Sequence, residues 1–284
     1  MVSAVLMLIL AAAQAATGRT ALGTVMDPHG RPIIDLGPDD VVIQERGQPR
    51  EVLSVRPADY PIALVLDNGS GAGADFTMIR EAASRFVGRV GHRPMAIALA
   101  DPSRLIATFD DERAVVFDRL ARTAASQSAG DLFGAILTAA RTIQETGALF
   151  SAIVVISGTP ASRVPTQLLT PIFASGATVH VVLERGRSAG LQPGPPSSEA
   201  SGQSPAAATD SSEALRALAD ETRGQFTTIY SPESYQVAVD RLADRIAPEL
   251  MVDFVEPAGS SNVAGDVQIG VRIPGARVIG RGVR

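Results

Sequence analysis

The sequence predicts an α/β protein with a doubly wound, mostly parallel sheet. Three observations support this: short continuous apolar runs, helix-length amphipathic segments between them, and a regular alternation of the two. A continuous apolar run is typical of a strand buried on both faces, and strands alternating with helices build a parallel sheet covered on both sides. The apolar runs are PIALVLD (61–67), MAIALA (95–100), SAIVVIS (151–157) and ATVHVVL (177–183).

The helices are predicted from apolar residues spaced three and four positions apart, which lie on one helical face. The last helix carries start signals as well, with Ser231 as the expected N-cap and Pro232 as its first residue. Shorter helices are expected over 166–174 and 212–222. The expected inward residues are Phe76, Ile79, Ala83, Phe86 and Val90; Leu132, Ile136, Ala139 and Ile143; and Tyr235, Val239, Leu242 and Ile246.

The two ends of the chain differ from its centre. Residues 19–57 and 248–284 contain short alternating runs separated by Gly- and Pro-rich turns, a pattern typical of antiparallel strands. Neither end supplies a complete sheet by itself. We therefore expect the N- and C-terminal strands to pair in one small β-sandwich beside an α/β domain that spans residues 58–247.

The amino terminus has the pattern of a signal peptide. An apolar run from Val5 to Ala13 is followed by small residues, and Ala13-Gln14-Ala15 fits the A-x-A cleavage pattern. The run is too short to span a bilayer. We expect residues 1–15 to be removed and the mature protein to be secreted or periplasmic, with no membrane span.

The segment 186–212 is rich in Pro, Gly, Ser and Ala and has few large apolar residues. Such a composition cannot bury enough surface to order itself. Because strand and helix alternation resumes beyond it, we expect a disordered loop inside the α/β domain and not a domain boundary.

Composition excludes several classes of function. The chain has no cysteine, which excludes disulfides, zinc–thiolate sites and thiol nucleophiles, and its net charge of −5 argues against a nucleic-acid partner. The motifs G-x-S-x-G and H-E-x-x-H are missing. His29, His92 and His180 lie beside no recognised nucleophile, and His180 is expected to be a hydrogen-bonded residue within a strand. The sequence does not predict an enzyme.

Four stretches, in this order, resemble the secreted bacterial proteins that carry a von Willebrand factor type A domain. The resemblance covers nearly the whole mature chain and implies a Rossmann-like fold. The stretches are VMDPHGRPIIDLGPDDVVIQERGQPREVLSV (25–55), PIALVLDNGSG (61–71), ALRALADETRGQFTTI (214–229), and ELMVDFVEP with GVRIPGARVIGRG (249–257 and 270–282).

The same resemblance implies a position for a metal-ion-dependent adhesion site. The family binds Mg²⁺ through D-x-S-x-S, a Thr before the central helix and a second Asp. On this chain the first Asp is Asp67, the two Ser fall on Gly69 and Gly71, the Thr on Gly130 and the second Asp on Gly158. Glycine has no side-chain oxygen, whereas Mg²⁺ requires an octahedron of oxygens. We therefore expect a degenerate site, with no metal and no cofactor.

Two alternatives remain open at this point. In the first, Ser70, Asp131 and Thr159 act as shifted ligands together with Asp67, which would give a metal-dependent adhesion domain.

In the second alternative the chain is a nucleotide-binding enzyme. Gly69, Gly71 and Ala74 fit G-x-G-x-x-A between a strand and a helix, and Asp101 at the end of the next strand is placed to bind a ribose.

The sequence favours an exported, non-enzymatic protein-interaction module of adhesion-like type, whose protein partner is unknown. Ligands of open α/β folds bind at the carboxyl ends of the strands. The residues expected to contact a partner there are Asn68, Ser70, Asp131 and Thr159.

Overall fold

The computed structural model describes residues 17–73, 75–158, 163–185, 208–256 and 267–284. The predictions for residues 1–15, for Ala74 and Thr159 and for most of the segment 186–212 lie outside the described residues. The chain divides into two compact units. The terminal unit consists of Met1–Pro57 and Pro248–Arg284, and the central unit consists of Ala58–Ala247.

The elements follow the chain through the terminal unit, the central unit and the terminal unit again. They are β1 (Thr17–Met26), β2 (Pro32–Ile33), β3 (Val41–Glu45), β4 (Gln48–Arg50), β5 (Val52–Pro57), β6 (Ile62–Leu66), α1 (Phe76–Arg89), β7 (Met95–Ala100), β8 (Ser103–Ala107), α2 (Arg113–Ala121), α3 (Leu132–Thr146), β9 (Ala152–Ser157), β10 (Arg163–Pro165), α4 (Leu169–Ala174), β11 (Thr178–Glu184), β12 (Ala208–Asp210), α5 (Ser211–Glu221), β13 (Phe226–Ile229), α6 (Ser234–Ile246), β14 (Leu250–Glu256), β15 (Val267–Val271) and β16 (Arg277–Val283).

The central unit is built on a six-stranded sheet in the order β13-β11-β9-β6-β7-β8. Neighbouring strands are parallel except for β7 and β8, which are antiparallel. In β6 every residue is fully buried, because the sheet is covered on both faces. The predicted mostly parallel sheet is confirmed.

Helices cover both faces of this sheet. On one face α3, α4 and α5 share a hydrophobic cluster with the strands, in which Val65 and Val155 join Ile136 and Leu215. On the other face α1 packs against α6, with α1 contacting β6 and β9 and α6 contacting β11 and β13. The predicted inward residues of all three long helices are buried, so the helical periodicity was interpreted correctly.

The start of α6 differs from the prediction. The helix begins at Ser234, three residues after the expected N-cap Ser231. Residues 231–233 form a tight turn instead, in which the Ser234 and Tyr235 N–H groups donate to the carbonyls of Ser231 and Pro232. The capping signal therefore marks the turn that leads into the helix.

His180 occupies the position expected of it in β11. Its side chain is buried, and its Nδ1 accepts a hydrogen bond from the Gln225 N–H at 3.1 Å. The prediction of a hydrogen-bonded strand histidine is confirmed.

In the terminal unit, strands from the two ends of the chain pair with each other. The sheet order is β16-β1-β14-β5, and β2 also pairs with β1. Ala21 of β1 lies opposite Val252 of β14 and Val283 of β16, in antiparallel register on both sides. A second sheet has the order β15-β3-β4. One hydrophobic cluster contains Ala21 and Phe254 of the first sheet and Ile43 of the second.

A buried ion-pair group links these two sheets. Glu45 of β3 is only 4% exposed. Its Oε1 lies 2.7 Å from Arg19 Nη1 of β1, and its Oε2 lies 3.1 Å from Arg50 Nε of β4. The Arg19 guanidinium also lies over the Phe254 ring. One arginine from each sheet thus pairs with this carboxylate and balances its charge.

Among the described residues, no helix has the length and apolar character needed to cross a membrane.

Candidate interaction site at the carboxyl edge of the sheet

The candidate site lies where the strand order of the central sheet reverses. Strand β6 pairs with β7 on one side and with β9 on the other. The chain therefore continues from β6 to β7 on one side and later adds β9 on the opposite side. Such a switch point leaves a crevice outside the carboxyl ends of the strands. Here the structure brings together Asp67, Gly69, Gly130 and Gly158, four of the positions that the resemblance singles out.

Asp67 is turned inward, and both of its carboxylate oxygens accept hydrogen bonds. It is 8% exposed, its Oδ2 accepts a hydrogen bond from Ser157 Oγ at 2.7 Å, and its Oδ1 accepts one from the Gly69 N–H at 3.2 Å. Burial raises the pKa of this carboxyl above its usual value, although the hydrogen bonds from Ser157, Gly69 and Gly158 oppose the shift.

Gly69 and Gly130 lie in direct backbone contact. A Cβ added to Gly69 would lie 2.5 Å from Gly130 N and 2.9 Å from its Cα. A Cβ added to Gly130 would lie 2.9 Å from the Cβ of Ala100. The two loops therefore approach so closely that a hydroxyl-bearing side chain at either position would displace backbone or strand.

The same close approach recurs at Gly158, beyond β9. A Cβ there would lie 3.0 Å from the Cβ and 3.2 Å from the Cα of Ala72, which is itself buried. Glycine at 69, 130 and 158 thus removes three candidate oxygens and lets neighbouring backbone fill their space. One inward carboxylate does not match the oxygen set that Mg²⁺ takes in proteins.

Asn68 joins the loops that follow β6 and β7. It is 2% exposed, its amide donates to the Asp101 carbonyl, and its Oδ1 accepts from the Asp101 N–H at 2.8 Å. Its own carbonyl accepts from the Ser126 N–H at 2.7 Å. The hydrogen bonds of the Asn68 side chain therefore join the two loops, a role that the sequence did not predict.

Two other candidate contact residues, Ser70 and Asp131, are exposed at this edge. The Ser70 N–H donates to the Ser128 carbonyl at 2.8 Å, and the residue itself is exposed. The Asp131 Oδ1 accepts from the Gly134 N–H at 2.8 Å and caps the start of α3. Ser70 is thus the better placed of the two to touch another molecule.

In the loop that resembles a nucleotide-binding fingerprint, several N–H groups are already hydrogen-bonded within the protein. The N–H groups of Gly69, Ser70 and Ala72 donate to Asp67, to the Ser128 carbonyl and to the Gly69 carbonyl. A phosphate-binding loop instead points unpaired N–H groups at its ligand.

The acid expected to bind a ribose is committed as well. The Asp101 carboxylate accepts a hydrogen bond from Ser126 Oγ. The geometry around the loop 67–73 is therefore that of a closed turn.

Sequence reasoning missed a polar layer behind Asp67. The Tyr235 hydroxyl of α6 donates to the Ser157 carbonyl at 2.9 Å and lies 3.4 Å from Glu184 Oε2. Burial raises the pKa of Glu184, and the nearby carboxylate of Asp75 raises it further. The signal for this layer was the pair of polar residues that end two apolar strands, Ser157 and Glu184.

Asp67→Asn is expected to flatten the pH dependence of stability. Because the folded-state pKa of Asp67 is raised, its contribution to stability is fully present below the unfolded-state pKa and is lost as pH rises through the folded-state pKa. An asparagine amide does not titrate. It can donate a hydrogen bond to Ser157 Oγ, because the Ser157 hydroxyl already donates to the Gly158 carbonyl.

Urea denaturation at a series of pH values checks this prediction. From the ordinary carboxyl range up to neutral pH, the free energy of unfolding should fall more steeply in the wild type than in Asp67→Asn. Parallel curves for the two proteins would show that Asp67 is not desolvated in the folded state.

No protein-family model matches the sequence, and no curated protein matches it. Solved structures similar to this chain include a von Willebrand factor type A protein from Catenulispora acidiphila, with 10% identity, 96% of this chain and 74% of that chain covered, and a TM-score of 0.49. Another is the conserved hypothetical protein BatB from Bacteroides thetaiotaomicron, with 14% identity, 66% and 98% covered, and a TM-score of 0.47.

A third similar structure is proximal thread matrix protein 1 from the mussel byssus, described with a zinc-occupied metal-ion-dependent adhesion motif. It has 13% identity, 71% of this chain and 48% of that chain covered, and a TM-score of 0.45. At these identities the likeness concerns the fold alone.

Proposed function

We propose that this chain is an exported, non-enzymatic protein-interaction module that binds its partner without a divalent cation. The observation that carries the proposal is the backbone contact between Gly69 and Gly130, where a Cβ would lie 2.5 Å from a backbone nitrogen. This contact fills the place of a ligand side chain, so binding at this edge relies on backbone groups and small side chains.

The export part of the proposal rests on the amino-terminal sequence. The run Val5–Ala13 followed by Ala13-Gln14-Ala15 has the pattern of a cleaved signal peptide. Cleavage near Ala15 leaves the strand β1, which begins at Thr17, as the first element of the mature chain. The mature protein is secreted or periplasmic.

The terminal unit has a supporting role in this proposal. We propose that its two sheets form a small β-sandwich. The chain enters and leaves the central unit through β5 and β14, which pair with each other. Antiparallel pairing of the first and last segments holds the two ends of the central unit's chain together.

Site-specific photo-cross-linking tests the proposed interaction. A photoreactive residue replaces the exposed Ser70, and the matched control carries it at the exposed Arg141 of α3. In native cells we expect one specific protein adduct from position 70, none from position 141, and the same yield with and without EDTA.

Two results would contradict the proposal. An adduct that disappears in EDTA would indicate a metal-dependent adhesion domain. The absence of an adduct at position 70, together with a rise in melting temperature on adding NAD(P) or ATP, would indicate a nucleotide-binding enzyme.

A further inference from the structure

A groove lies beside the candidate site in the central unit, along the end strand β8. Its volume is about 670 Å³, and it is bounded by β8, the carboxyl end of α2 and the loop 123–126. Asn68, Asp101 and Ser126, which join the loops of the candidate site, form one of its walls. The groove is therefore continuous with the edge at which we propose that a partner docks.

The charged side chains of the groove are mainly positive. Arg104, Arg119 and Arg122 line it together with one acid, Asp101, in a chain whose net charge is −5. The Asp101 carboxylate already accepts a hydrogen bond from Ser126 Oγ. The groove thus concentrates guanidinium groups on a protein that is acidic as a whole.

The three guanidinium groups differ in how firmly they are held. Arg119 Nη1 lies 2.9 Å from Asp111 Oδ2 and donates to the Ile106 carbonyl, so its position is set by the protein. Arg122 pairs with Asp118 at 2.8 Å, but its side chain is 78% exposed, and such a pair exchanges readily. Arg104 is exposed and forms no ion pair or side-chain hydrogen bond with any described residue.

The lining of the groove suits a peptide that carries both carboxylates and aliphatic side chains. The remaining lining includes the apolar side chains Leu99, Leu105 and Ile106. Guanidinium groups pair with planar carboxylates through two parallel hydrogen bonds, and apolar walls take aliphatic side chains.

We propose that this groove binds an acidic peptide segment of the partner protein. Arg104 and Arg122 pair with its carboxylates, and Leu105 and Ile106 contact its aliphatic side chains. This inference rests on the proposed interaction function and names the class of partner that the module takes.

Fluorescence anisotropy with a short labelled peptide of alternating glutamate and leucine tests the proposal on the full chain. The double variant Arg104→Gln/Arg122→Gln should bind it about tenfold more weakly or worse, since two charge-assisted pairs are lost. The control Arg141→Gln removes an exposed arginine outside the groove and should bind as the wild type does. Binding should weaken with added salt.

Three outcomes would overturn the inference: equal binding of the matching glutamine–leucine peptide, unchanged binding by the double variant, or displacement of the peptide by equimolar inorganic phosphate. The substituted arginines are exposed, so we expect the double variant to keep the melting temperature of the wild type. An unchanged melting temperature then excludes unfolding as the cause of lost binding. If the peptide fails to bind while the cross-link from position 70 persists, only the groove assignment fails and the interaction function stands.

Discussion

Gly69→Ser is expected to destabilise the central unit by about 3 kcal/mol or more, because the new Cβ overpacks against backbone atoms and forces them to shift. The nearest atoms are Gly130 N at 2.5 Å and Gly130 Cα at 2.9 Å. Serine is the residue that the resemblance places at this position, so the substitution also asks whether restoring a ligand restores a metal site. We expect that it does not.

The matched control is Gly73→Ser in the same loop. A Cβ at Gly73 would have its nearest neighbour, the Ser70 carbonyl oxygen, at 3.6 Å, which is ordinary contact. Gly73→Ser should therefore change the free energy of unfolding by no more than roughly 0.5 kcal/mol. Both variants are compared by thermal and urea denaturation, with and without Mg²⁺. A stable Gly69→Ser protein that gains stability from Mg²⁺ would show that the loops can reopen into a metal site.

Glu45→Ala is expected to destabilise the terminal unit by about 3 kcal/mol, because it leaves two largely buried guanidinium groups without a counter-charge. The side chains of Arg19 and Arg50 are 14% and 15% exposed, so water reaches them only in part. Glu45→Gln keeps the shape of the side chain and one carbonyl oxygen. Its free energy of unfolding should therefore lie between those of the alanine variant and the wild type.

Arg31→Ala provides the control in the same unit. Arg31 pairs with Asp27 at 2.8 Å, but its side chain is 77% exposed, and such pairs contribute at most about 1 kcal/mol. Urea denaturation, with hydrogen exchange of the β1 and β14 amides, separates the two variants. If Glu45→Ala and Arg31→Ala lower the free energy of unfolding by similar small amounts, the Glu45 carboxylate is solvated and does not hold the two sheets together.

Much of the central fold could be predicted because its signals are local. The apolar runs that became β6, β7 and β9 need no knowledge of distant residues, and the inward faces of α1, α3 and α6 follow from spacing alone. The start of α6 was misplaced because Ser231 and Pro232 are equally suited to a tight turn and to a helix start.

The candidate site was predictable in composition but not in geometry. Glycine stands at the four positions where the resemblance places the other ligands, and this already predicted missing oxygens. The contact between Gly69 and Gly130 was not predictable, because it depends on how loops after β6 and before α3 meet in space. The interior role of Asn68 was hidden for the same reason, since its partner Asp101 ends a different strand.

The burial of Glu45 was likewise beyond local reasoning. A glutamate beside a turn normally lies on the surface, and this one is buried only because Arg19, from the first strand, lies against it. Tertiary pairing between the two ends of the chain decides its environment.

The melting temperature of the wild type in EDTA and in excess Mg²⁺ tests the central claim most directly. A ligand stabilises the folded state by RT ln(1 + [L]/Kd), which stays below about 0.4 kcal/mol, or roughly 1 °C, until its concentration reaches the dissociation constant. With Asp67 turned inward and glycine at the other positions to which the resemblance assigns ligands, we expect the same melting temperature in both conditions, for the wild type and for Asp67→Asn alike. A fall of several degrees in EDTA that Asp67→Asn abolishes would contradict the account and identify a working metal site.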